Sequence, residues 1–155
     1  MIFLETLLHN EILVIPVISW ALAQLLKTLI HTLVNKGFTA ERLVGGGGMP
    51  SAHSATVCAL STTTALVYSV GSFEFAIATV FAVVTMYDAM GVRRETGRQG
   101  EALNDLLEAF NKITHERVGP EKALKELIGH TPLQVLLGAA LGVGMAFLLH
   151  NVLFL

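Results

Sequence analysis

The sequence predicts an all-α integral membrane protein: a four-span helical bundle with a cytoplasmic amphipathic helix between spans three and four. Three observations predict it. Hydrophobic side chains make up 53% of the 155 residues and charged ones only 14%, a balance foreign to disordered chains and to nucleic-acid binders. The apolar residues gather into four runs instead of alternating with polar ones. All ten Lys and Arg residues fall on or near one side of the topology those runs imply. The chain reads as one domain, 1–155, and its single cysteine, Cys58, excludes an internal disulfide.

The elements follow in order. Residues 1–10 have neither a basic leader nor a small-residue cleavage site and read as an interfacial lead-in. Residues 12–34 are apolar apart from Pro16, Gln24, Lys27 and His31 and are long enough to cross a hydrocarbon core of about 30 Å. Residues 55–70, rich in Ser and Thr, and 75–90, uncharged until Asp88, form an antiparallel hairpin about a turn at Gly71 and Ser72. The last span, Pro132–Leu149, carries Gly138, Gly142 and Gly144, which permit close helix approach. Between spans three and four, Leu103, Leu106, Leu107, Phe110 and Ile113 recur at helical spacing among charged residues. That is an amphipathic helix packed on the bundle or lying in the interface. A short helix is expected over residues 120–128, with Pro120 in its first turn and Gly129 ending it.

Alternation of four spans puts the loop after span one and the loop after span three in one compartment. Both termini and the Gly71 turn face the other. Lys27, Lys36, Arg42, Arg93, Arg94, Arg98, Lys112, Arg117, Lys122 and Lys125 all belong to the first side, whereas Glu5, Glu11 and Glu74 belong to the second. The positive-inside bias makes the basic side cytoplasmic.

That side also gathers the chemistry. In Gly47-Gly48-Met49-Pro50-Ser51-Ala52-His53-Ser54, a glycine loop, a helix-starting Ser and a His stand at the mouth of span two. Free N–H groups at a helix start suit an anion such as phosphate, although Gly and Pro also simply turn a chain and Ser51 simply caps. At the mouth of span four, Gly129-His130-Thr131-Pro132-Leu133-Gln134 repeats the arrangement, with Thr131 a natural N-cap and Pro132 suited to the first turn. Lys27 and Gln24 share a face near the cytoplasmic end of span one. Asp88, costly in a membrane unless paired, is expected to neutralise Lys27 or Arg93. Lys27, Asp88, Arg93, His53 and His130 are therefore expected to converge at one membrane level, with the two His within about 15 Å of each other on helix-scale geometry. Such a set suits phosphoryl transfer: cations balance oxyanion charge, one His attacks and another protonates the leaving oxygen.

These blocks, together with Asp88-Ala89-Met90-Gly91-Val92-Arg93-Arg94, resemble the signatures of the divergent type 2 phosphatidic acid phosphatase family, relatives of lipid phosphatases and vanadium-dependent haloperoxidases. The resemblance covers most of the chain. Pro50-Ser51-Ala52-His53 is similar to the superfamily's Pro-Ser-Gly-His block, and His130 with Pro132, Val135, Gly138 and Gly142 to the end of its third block. The resemblance implies a phosphatase-like domain in which His130 is the nucleophile, His53 the general acid and Lys27 the Lys of the first block. Gly48, Ser51, Arg93 and Arg94 would hold phosphate, with Asp88 and Gln24 in support. Three departures stand out. No Arg-Pro follows Lys27, no Ser-Arg pair precedes His130, and Gln134 occupies the place of the acid that orients the nucleophile. Arg93 would supply the missing guanidinium. A rival alignment places Arg93 and Gln99 on the third block and leaves no nucleophile.

The implied activity is a metal-independent, cofactor-free membrane lipid phosphate or diphosphate phosphatase, working from the cytoplasmic side through a phosphohistidine. Its partners are the lipid phosphate and membrane lipids, not nucleic acid, and a homo-oligomer is allowed. The alternative is a non-catalytic membrane protein that binds anionic lipid headgroups. A transporter is disfavoured, because four spans show no inverted repeat.

Overall fold

The computed structural model of the protein describes residues 2–35, 48–114 and 129–154, and every regular element among them is helical. Six α-helices follow one another: α1 (Ile2–Leu8), α2 (Glu11–Asn35), α3 (Ala52–Tyr68), α4 (Phe73–Met90), α5 (Val92–Thr114) and α6 (Pro132–Leu149). The last continues into a five-residue π-helical segment, His150–Phe154. The short helix expected over 120–128 lies outside the described residues, as do Lys36, Arg42, Arg117, Lys122 and Lys125.

Among the described residues three helices, rather than the four expected, are long and apolar enough to cross a membrane: α2, α4 with its continuation, and α6 with its π-helical end. The exception is α3. Its 17 residues rise about 25 Å, short of a hydrocarbon core of about 30 Å, and they include six serine and threonine side chains, at Ser54, Thr56, Ser61, Thr62, Thr63 and Thr64. The reason is its position. α3 is the central helix, packed against α2, α4 and α6, so it presents little surface to lipid and several of its hydroxyls find partners inside. Thr56 and Thr64 donate to the carbonyls of Ala52 and Leu60, and the hydroxyls of Ser61 and Thr79 meet across the α3–α4 contact at 2.8 Å.

The α3–α4 hairpin forms much as expected. Ser69 turns the chain with a positive φ of 77°, and Ser72 caps α4 by accepting from the Phe75 N–H. α6 runs parallel to α3 in a fixed step of four residues. A Cβ on Gly138 would fall 2.3 Å from the Ser51 carbonyl oxygen, and one on Gly142 would fall 2.2 Å from that of Ala55. One turn further along, Ala146 packs with Ala59. Only glycine permits backbone contact this close. α2 runs antiparallel to both: Ala23 meets Ala52 and Ala55, and Ile15 meets Ala59 and Ala146.

The bundle is thus built from small residues inside, while the large apolar side chains face outward. Leu25, Leu29, Leu33, Phe73, Val80, Phe81, Leu133 and Leu136 are all exposed, and an apolar groove lined by Ile77, Val80, Phe81 and Val84 runs along α4. Such a distribution is suited to a lipid solvent. α5 departs from α4 at Gly91 and carries the expected stripe, with Leu103, Leu106, Phe110 and Ile113 exposed. Among the described residues its main packing on another helix is at the junction with α4.

Candidate active site

Parallel packing of α3 and α6 brings two helix starts side by side at one end of the bundle, so two sets of free N–H groups and two positive dipole ends point the same way. Each start is capped as its sequence dictates. Ser51 accepts from the Ser54 N–H at 3.3 Å and from the Ser54 hydroxyl at 3.0 Å, and both serines are fully buried. Thr131 forms a capping box with Gln134 in which each side chain accepts from the other residue's N–H.

Two backbone hydrogen bonds weld these starts together and to α4. Ser51 N–H donates to the Gln134 carbonyl at 3.0 Å, and His130 N–H donates to the Ala89 carbonyl at 3.0 Å. The second bond ties the residue before α6 to the last turn of α4, one position from Asp88. His53, in the first turn of α3, and His130, just before α6, consequently face each other with ring centroids 5.8 Å apart, edge to face. That is far inside the expected 15 Å. His130 is 5% exposed, whereas His53 is half-buried.

The capping box also decides which nitrogen of His130 carries a proton. Gln134 Oε1 accepts from the Thr131 N–H at 3.1 Å, and the same oxygen lies 3.2 Å from His130 Nδ1. A backbone N–H can only donate, so the atom it meets is the amide oxygen. Nδ1 must therefore carry a proton, and in the neutral ring Nε2 then keeps the lone pair. This is the tautomer a nucleophilic histidine needs. Gln134 selects it without a negative charge.

Lys27 reaches the same end from α2. It is 4% exposed, one turn beyond Ala23, which packs on Ala52 and Ala55. Its aliphatic stem runs past Gly48, where a Cβ would lie 2.8 Å from Lys27 Cγ, and Gly48 takes a φ of 89° that suits glycine. The Met49–Pro50 peptide that follows is cis. Gln24, one turn before Lys27, is 9% exposed. The structure therefore gathers Lys27, Gln24, Gly48, Ser51, His53, His130 and Gln134 at one end, with the half-buried Asp88 at its α4 edge. Arg93 and Arg94 fall in the first turn of α5, but their side chains lie outside the described residues. No group of three or more His, Cys, Asp or Glu side chains that could hold a metal occurs among the described residues.

Over residues 8–145 the chain matches the profile of the divergent PAP2 family. It belongs to that family. It is also 38% identical over 151 residues to the uncharacterized membrane protein YuiD of Bacillus subtilis (strain 168), covering 92% of this chain and 96% of that one. No solved structure matches.

One feature of this divergent PAP2 member lies beyond its sequence, and a second was there to be found. The backbone bonds from Ser51 and His130 leave no trace in residue type. The second feature sits at the opposite end, where His150 Nδ1 and Glu11 Oε2 meet at 2.6 Å between the end of α6 and the start of α2. Span alternation already put both residues on that side, so a search for partners among the few polar residues there would have found the pair.

Proposed function

We propose that this protein is a membrane lipid phosphate or diphosphate phosphatase that works through a phosphohistidine. In this reading α3 completes a four-span bundle, both termini lie outside the cytoplasm, and the site faces the cytoplasm, where the positive-inside bias puts the basic residues. The observation that carries it is the His53–His130 pair at 5.8 Å, with His130 Nδ1 held by Gln134. His130 Nε2 attacks phosphorus, and the bond from phosphorus to the lipid oxygen breaks as His53 gives that oxygen a proton. Water then attacks the phosphohistidine, its proton passing to the now neutral His53, and inorganic phosphate leaves. Lys27, the two helix starts, Arg93 and Arg94 offset the anionic charge, and lipid enters laterally from the surrounding membrane. Family membership supports the chemistry at the level of a phosphatase-related protein.

One observation favours a second reading, a binder of anionic headgroups without turnover. Gln134 is neutral and stabilises an imidazolium less than a carboxylate would. Purified protein incubated with a panel of lipid phosphates decides between the two. Phosphate release that disappears in His130→Ala supports the phosphatase, whereas retained lipid binding with no release from any substrate supports the binder.

A further inference from the structure

The inner end of α2 is polar on the side that faces the bundle and apolar on the side that faces out. Gln24, Lys27, Thr28 and His31 follow one another at steps of three, one and three residues, which places them on a single helix face. The first three are buried at 9%, 4% and 8% exposure, and His31 is half-buried. Its neighbours Leu29, Ile30, Leu33 and Val34 are all exposed. A histidine that merely snorkelled to the membrane surface would share their outward face; His31 does not. Thr28 spends its hydroxyl on the Gln24 carbonyl at 2.8 Å. The ring of His31, by contrast, has no hydrogen-bond or ion-pair partner among the described residues. It sits one turn, about 6 Å of helix rise, beyond Lys27 on the aqueous side of the site.

We propose that His31 is a further phosphate-contacting residue, whose ring N–H donates to a non-reacting oxygen of the anion held by Lys27 and the two helix starts. This deepens the phosphatase reading and rests on its site. His31 takes no part in bond making or breaking. It adds a donor on the aqueous side, where the headgroup and the released inorganic phosphate both pass. A charge is not required, since the neutral imidazole has one N–H to give.

The full chain in detergent micelles, titrated with inorganic phosphate, tests this without relying on turnover. Addition of phosphate should shift the His31 ring resonances. His31→Leu should weaken inorganic phosphate about fivefold, the size of one lost hydrogen bond. It should raise KM for a lipid phosphate by a similar factor and leave kcat within about twofold. His31→Gln, which keeps an N–H donor, should restore both constants. A packing role predicts the reverse order, with Leu tolerated and Gln not, and that order overturns the proposal. So does unchanged phosphate affinity in His31→Leu, or, if that variant fails to fold, the absence of any His31 ring shift in the wild type. A wild type that binds phosphate through His31 but releases none from lipid upholds the His31 contact and sinks the phosphatase reading alone. A wild type that binds no phosphate and hydrolyses nothing sinks both.

Discussion

Replacing Gly138 with Ala tests whether glycine contacts position the site. The added methyl would fall 2.3 Å from the Ser51 carbonyl oxygen and 3.0 Å from Ser54 Cβ. The first of these is backbone and cannot rotate away, so α6 must back off by roughly 1 Å to restore ordinary contact. Overpacking of this kind costs about 1–3 kcal/mol, partly offset by the roughly 0.8–1 kcal/mol that Ala gains over Gly in a helix. A net loss of up to about 2 kcal/mol corresponds to a fall in melting temperature of up to about 8 °C for a chain of this size. The same displacement pulls on the 3.0 Å bond from Ser51 N–H to the Gln134 carbonyl and draws His130 from His53. Misplacement of a reacting group by about 1 Å can cost about a hundredfold in rate. Gly144 provides the control, because nothing lies within 4 Å of a Cβ built there. Gly144→Ala should therefore melt at or slightly above the wild-type temperature with unchanged activity. Thermal melts of the purified variants and lipid-phosphate turnover read both effects. If Gly138→Ala behaves like Gly144→Ala in both assays, the contact geometry does not govern the site and the reasoning fails.

Further outcomes follow from the same geometry. Gln134→Glu keeps an acceptor for both Thr131 N–H and His130 Nδ1–H and adds a charge, so turnover should rise by roughly tenfold; an unchanged rate would show that His130 does not develop charge. With an activated leaving group, His53→Ala should retain a burst of product and His130→Ala none, and wild-type activity in His130→Ala would move the nucleophile to the rival alignment around Arg93. A cysteine tag at Leu155 should be labelled in intact cells, and labelling only after permeabilisation reverses the orientation. On α5, Lys112 holds the Glu108 carboxyl below its ordinary range through a 2.6 Å hydrogen bond. The pair's contribution is therefore present above the ordinary carboxylate range and lost as pH falls through the lowered one. Both groups are exposed, so Glu108→Gln should reduce α5 helicity only slightly by circular dichroism and remove that acid-dependent loss.

Much of this fold was legible because membrane helices declare themselves by long apolar runs with local boundaries. Pro132–Leu149 came out with the observed bounds, and the turn at Gly71 and Ser72 matched Ser69 to Ser72. α3 was harder to read. Whether a hydroxyl-rich stretch of 17 residues spans a membrane or hides behind other helices depends on its neighbours, and its own composition does not contain them. The two histidines were legible for a related reason: each stands at a helix start marked by a capping residue and, at His130, by Pro132. Their 5.8 Å approach was not, since it depends on the backbone bonds of Ser51 and His130, which any residue type could make. Gln134 shows the same division. Its type announced a missing carboxylate, while its place in the capping box, which fixes the tautomer of His130, required the geometry.

The four-residue step between α3 and α6 connects these levels. Ser51 with Gly138, Ala55 with Gly142 and Ala59 with Ala146 form successive contacts on one face, and the step continues at either end into functional groups. At one end it arrives at His53 and His130. At the other, the turn beyond Ala146 brings His150 to Glu11, a residue one turn before Ile15 on α2. A slide of α6 along α3 by one residue, about 1.5 Å, would set Leu137 and Leu141, or Ala139 and Val143, against carbonyls where hydrogens now fit. It would also break the Ser51–Gln134 bond and separate Glu11 from His150. Each of these penalties opposes the slide independently, so the register of a helix with almost no polar surface is held from both ends and the middle. The separation of the two histidines is fixed by that register, and small residues along the α3–α6 contact thereby become part of what positions the site.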